Sequence, residues 1–279
     1  MPKLGHTGLA LRVGIFVITG ILTLQLVSAL LAWSGLLVQA AMAVFASAAV
    51  ANALSLRIFE RGGLSDVGLG WQKGTHRNLL YGLVGGLLSA LAVTGIPVLL
   101  GLATVTQDPT RSFSLPSFIF VLAVMVFGAV GEELLFHGYA FQLLMRKLGA
   151  FQTLLPVGVL FAVAHANNLS SGYLSAFNTF LWGTFLGLCF LRSGDLWLPI
   201  GVHLGWNWAL PLLGANVSGF KMGTTGLILN WNIGPLWSGG EYGPEAGLLT
   251  TLVLPALGWC LYKAPIETTM PQLFETEED

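Results

Sequence analysis

Residues 131–144, GEELLFHGYAFQLL, place Glu132 and Glu133 side by side inside a stretch that otherwise has the composition of a membrane span. A carboxylate is costly at that depth, and the default reading of an ionisable group there is that it faces the interior of a helical bundle for a functional reason. The rest of the chain decides whether this is a membrane protein at all. Of 279 residues, 54% are hydrophobic and 9% are charged, against about 25% charged in an ordinary soluble domain. The chain therefore reads as an integral membrane protein.

Spans of roughly 20 apolar residues can be drawn at about 12–33, 36–58, 79–103, 116–145, 151–167, 172–192, 196–214 and 246–263. No segment alternates polar and apolar residues at regular spacing, which excludes the pattern of an outer-membrane barrel. The expected fold is an all-α polytopic bundle of about eight transmembrane helices. The first apolar run is longer than the ~7–15-residue core of a secretory signal peptide, so it reads as a retained span.

Short cytoplasmic loops retain Lys and Arg. With the N-terminus inside, ten of the 12 basic residues fall on the inner side and only Arg111 and Lys221 outside. That asymmetry predicts N-in, C-in topology, in what is expected to be a bacterial inner membrane. The polar linker at 57–78 divides an N-terminal helix pair with its cytoplasmic linker (1–78) from a core (79–279). Residues 215–245 form a Gly- and Trp-rich outer loop with Trp231 and Trp237 at interfacial positions, and the tail FETEED reads as an exposed acidic end.

The net charge of −1 offers none of the basic surface that nucleic-acid binding requires. Cys189 and Cys260 lie in apolar runs and read as core-filling thiols rather than a disulfide or a metal clip. His6 and His76 sit in polar flanks and read as surface residues. Gly82, Gly85 and Gly86 read as positions that let helices approach closely.

Three segments carry polar groups that do not suit lipid. His137 follows Glu133 by four residues, so the two face one another on a helix. His165 closes FAVAH and is followed by Asn167 and Asn168, and HLGWN places His203 and Asn207 on one helical face. Taken singly, each has a plain structural reading as an interhelical ion pair or hydrogen bond. Their joint occurrence favours one site where a Glu accepts a proton from water, a His orients that water, and His and Asn donate to a developing oxyanion.

The motifs EELLFHG, FAVAHANN and GTFLGLCFLRSGDLWLPIGVHLGWNW resemble, in order and spacing, those of the CPBP group, the CAAX prenyl endopeptidases and their bacterial relatives, also called the Abi family. The resemblance covers about residues 116–214. It implies an intramembrane endopeptidase with Glu132 as general base, His165 polarising the attacking water, and His203 with Asn207 stabilising the oxyanion. Phe161 is then the packing residue of the second motif, and Glu133, His137 and Asn168 are supporting residues. The family has Arg after EE and three intervening residues, where this chain has His137. Either activity becomes pH-sensitive through His137, or the fold serves a non-catalytic binding or immunity role.

The expected partners are a peptide or membrane-protein substrate and the lipid bilayer. No cofactor is expected; two histidines and a glutamate leave zinc as the alternative. A proton-relaying transporter is a third reading, disfavoured because no inverted repeat is visible.

Overall fold

The structure, a computed structural model, describes residues 5–269; Lys3 and the FETEED tail lie outside them. Among the described residues the fold is helical apart from one two-stranded ladder. Among the described residues, five helices are long and apolar enough to cross a membrane by length and composition: α1 (His6–Leu30), the helix from Leu36 to Glu60 that begins as α2 (Leu36–Ser55), α3 (Thr75–Leu99), the Leu115–Leu148 stretch, and α7 (Tyr173–Ser193). The remaining apolar segments are shorter. They are α6 (Ala150–Ala164), α8 (Trp197–Leu212) and α10 (Leu248–Lys263); one further turn, α9 (Pro235–Ser238), lies in the loop before α10.

The stretch expected to form one helix over 116–145 is broken at Gly138 into α4 (Leu115–His137) and α5 (Tyr139–Leu148). Asn52 of α2 accounts for the break. Its Oδ1 accepts from Tyr139 N at 2.7 Å, and its amide donates to Leu134 O at 2.9 Å. A side chain thus takes the place of one helical hydrogen bond. A Cβ at Gly138 would lie 2.2 Å from Leu134 O and 2.3 Å from Asn52 Oδ1, so only glycine fits there.

Below the break, α5 descends alongside α1. Tyr139 packs on Phe16 with ring centroids 6.3 Å apart, and Leu144 meets α1 near His6 and Leu9. Ten residues of helix descend about 15 Å, so α6 begins deeper than α8 does. That offset brings His165, at the far end of α6, level with His203, which lies only six residues into α8.

The closest helix pair is α3 with α8. Cβ atoms at Gly82 and Gly86 would fall 2.4 Å from Leu198 O and 2.1 Å from Val202 O, and the facing Gly201 and Gly205 are equally confined by Leu79 O and Leu83 O. Small residues let the two backbones meet without intervening side chains. Gly85 faces α10 instead, against Leu257.

At the outer end, β1 (Ala103–Gln107) pairs antiparallel with β2 (Leu227–Trp231), with Ala103 opposite Trp231 and Gln107 opposite Leu227. The sequence reading left both segments as loop, because five residues in each of two distant connections carry no pattern until they pair. Cys189 is buried as expected, but Cys260 is exposed on the outside of the bundle. An apolar run on a lipid-facing helix surface is indistinguishable by composition from one that faces the core.

Candidate active site

α4, α6 and α8 bring their polar residues to the base of one cavity of about 510 Å³. Its wall includes Glu132, Phe161, His165, Asn168, His203 and Asn207. The volume lies within the range of small-molecule and peptide-side-chain sites.

Glu133 is fully buried and accepts two hydrogen bonds. His137 Nδ1 lies 2.7 Å from Oε2 and His203 Nδ1 lies 2.7 Å from Oε1. One carboxylate therefore ties α4 to α8 and sets the orientation of the His203 ring, leaving Nε2 to face the cavity. His137 Nε2 in turn lies 3.2 Å from Gly183 O on α7. A carbonyl oxygen only accepts, as does an ionised carboxylate. His137 thus stands between two acceptors, with one proton shared between its ring and Glu133 or carried outright as a doubly protonated imidazolium.

Glu132 points the other way, into the cavity. Its Oε2 is buried and accepts no hydrogen bond within geometric limits. Two imidazole nitrogens flank it, His165 Nε2 at 3.5 Å and His203 Nε2 at 3.8 Å. Polar groups at such separations are the spacing that a bridging water joins. His165 is itself oriented, since Nδ1 donates to Phe161 O at 2.8 Å, which leaves Nε2 for the cavity. The Phe161 ring packs 4.6 Å from the His165 ring and edge-on to Phe136 at 4.9 Å. Asn207 lies one turn beyond His203 on α8, on the same wall.

Each site residue expected from the sequence is placed at this cavity or in the hydrogen-bonded layer beneath it. Glu133 has more to do than steady its own helix, because it is the acceptor that holds His203. Sequence reasoning missed Asn52, which shapes the α4–α5 break, and Glu245.

Glu245, in the turn Pro244–Ala246, also lines the cavity and is buried. Trp206 Nε1 donates to its Oε1 at 3.2 Å; Ser218 N and Ser218 Oγ donate to Oε2, the hydroxyl at 3.0 Å. Burial pushes its carboxyl above the ordinary range, against the lowering effect of the Ser218 and Trp206 donors. Nearby Tyr242 is pushed up to about 12, first by burial and then by Glu245. A lone acid in a Gly-rich loop has no spacing that announces it.

Among the described residues, no three His, Cys, Asp or Glu side chains form a set that could hold a metal ion. Glu132, His165 and His203 are the side chains that would supply ligands if their positions adjusted.

Residues 114–209 match the family described as type II CAAX prenyl endopeptidase, Rce1-like. The match covers about a third of the chain, and over that stretch the chain is similar to the CAAX proteases. The matched segment contains all the residues just placed on α4, α6 and α8, and it ends before the loop that carries Glu245. No curated protein is found to match the chain. Similarity to a protease family over this segment, together with helices long and apolar enough to cross a membrane, supports a membrane protein of protease type.

Proposed function

We propose that the chain is an intramembrane endopeptidase in which Glu132 and His165 activate a water molecule without a metal ion. Glu132 takes a proton from the water as its oxygen attacks the scissile carbonyl carbon. The carbonyl oxygen becomes an oxyanion that accepts from His203 Nε2 and the Asn207 amide. His203 donates there in its doubly protonated form, with Glu133 as its counter-charge. Glu132 then returns the proton to the leaving nitrogen as the C–N bond breaks, giving a carboxylic acid and an amine.

The observation that supports this reading is the unpartnered Oε2 of Glu132 between two imidazole nitrogens whose tautomers are set from behind by Phe161 O and Glu133. A base needs a free lone pair facing the substrate, and oriented imidazoles need no reorganisation during reaction. The placement of His137 favours turnover over a binding role without it. Arginine at that position would offer several donors to the carboxylate and carbonyl; His137 lies within hydrogen-bond distance of the same two acceptors, Glu133 and Gly183 O, and donates to both when doubly protonated.

The test is cleavage of a peptide panel by purified protein in liposomes, wild type beside Glu132→Gln, with and without chelator. Loss of about 10²–10⁴-fold in the variant, the usual contribution of a general base, with no effect of chelator, is the expected result. Loss in chelator that zinc restores would overturn the metal-free mechanism. A wild type that cleaves nothing on the panel would favour the binding role.

A further inference from the structure

The bundle has two chemically different ends. At one end the start of α1, the end of α2, the α4–α5 break, the α7–α8 turn and the segment after α10 are stitched together. Arg12 pairs with Glu60, which also accepts from Tyr139 Oη at 2.9 Å. Leu196 N donates to Gly68 O at 3.0 Å, and Thr269 N to Ser193 O at 2.7 Å. The opposite end is formed by the α1–α2 turn, the β1–β2 ladder, residues 165–172 and the long loop 213–247. There Asp108 N donates to Gly226 O at 2.7 Å, and Gly219 N to Tyr242 O at 2.8 Å. Of the described Lys and Arg residues, only Arg111 and Lys221 belong to this second end.

The cavity is not symmetric between these ends. Its exposed rim is made by Leu36 and Ala40 at the start of α2 and by Ala164, Asn167 and Leu169 at the end of α6. Phe220, Ser218 and Glu245 of the long loop complete the wall on the same side. No residue from the stitched, basic end lines it. On that side the site is closed by the buried layer of Glu133, His137 and Gly183 O, with Phe136 and Leu186 beside it. Glu132 is therefore reached from the end that carries only Arg111 and Lys221 of the described Lys and Arg residues.

Lys and Arg near the ends of spans are retained in the cytoplasm. We infer that the cavity opens on the face of the membrane opposite the cytoplasm, and that its substrates are polypeptide segments presented on that face. Resting on the proposed peptidase reading, this assigns the substrate class: exported peptides, or membrane-protein segments where they emerge from the outer leaflet. A cytoplasmic C-terminus, lipid-modified or not, would have to cross the bilayer to meet Glu132. The apolar rim of leucines and alanines suits a chain that arrives at the lipid boundary.

The test uses the full chain in intact bacterial cells, in a Cys260→Ser background so that the exposed native thiol does not report. Ser171→Cys, in the turn after α6, and Lys73→Cys, in the basic linker, are each treated with a membrane-impermeant maleimide before and after lysis. Full labelling of Ser171→Cys in intact cells, with Lys73→Cys labelled only after lysis, is the expected result. The reverse pattern, or equal labelling of both in intact cells, overturns the inference. In a second arm, one peptide is fused to a single-span anchor so that it faces outward or inward. Cleavage of the outward fusion alone supports the assignment, and cleavage of the inward fusion alone refutes it. If neither fusion is cut while the maleimide pattern holds, the peptidase reading fails and the sidedness stands.

Discussion

Replacing Gly86 by alanine tests whether the position of His203 depends on the contact between α3 and α8. The added Cβ would lie 2.1 Å from Val202 O and 2.7 Å from Trp206 N. Both are backbone atoms, so no side-chain rotation relieves the overlap, and α8 must move away by about 1 Å to restore an ordinary contact. Val202 precedes His203, so the same movement shifts the His203 ring by about 1 Å relative to Glu133 and disrupts the 2.7 Å bond from its Nδ1. The overpacking costs about 1–3 kcal/mol, and the lost bond to a charged partner about 1.5–3 kcal/mol. Cleavage should fall about 10²-fold, the scale expected for a 1 Å displacement at a catalytic group. Gly85→Ala is the control, because its Cβ meets only the tip of Leu257 at 3.2 Å, which a rotamer change relieves. Thermal unfolding in detergent and peptide cleavage are measured for both variants. If Gly86→Ala matched Gly85→Ala in melting temperature and came within twofold of it in rate, the backbone contact would not be what positions His203.

Two further outcomes follow from the buried carboxyl groups. His137→Phe leaves Glu133 with one donor in place of two, and breaking a buried pair in this way costs about 3–5 kcal/mol; His137→Arg restores donors to Glu133 and Gly183 O and is expected to recover cleavage, so equal failure of both variants would show that His137 is not acting as a double donor. For Glu245 the sign follows from its raised carboxyl: the buried neutral form stabilises the fold, fully so at pH below the ordinary carboxylate value of about 4.3, and that contribution is lost as pH rises through the elevated folded value. The melting temperature of the wild type should therefore fall with rising pH more steeply than that of Glu245→Gln, and parallel curves would contradict the burial argument.

Much of the candidate site was legible before any coordinates. Glu132, Glu133 and His137 are noticeable because lipid makes charge expensive, and the i, i+4 spacing of Glu133 with His137 and of His203 with Asn207 follows from helix geometry alone. The glycines Gly82 and Gly86 could likewise be read as close-approach positions, although not the helix they approach. Glu245 and Asn52 were not legible. Each acts through partners far away in the chain, Trp206 and Ser218 for one, Leu134 and Tyr139 for the other, and a local pattern does not encode a distant partner.

Composition and helical period, by themselves, determined that this chain is a helical membrane protein with polar groups reserved for its interior, because the cost of burying charge in lipid acts on every residue locally. Only the tertiary structure decided where those groups meet. The break at Gly138 lets α5 descend and start α6 lower, which brings His165 and His203 to one level. The direction of each acid is also a tertiary matter: Glu132 faces the cavity while its neighbour Glu133 faces two histidines, a division of two adjacent carboxylates that depends on which helices lie against each side of α4.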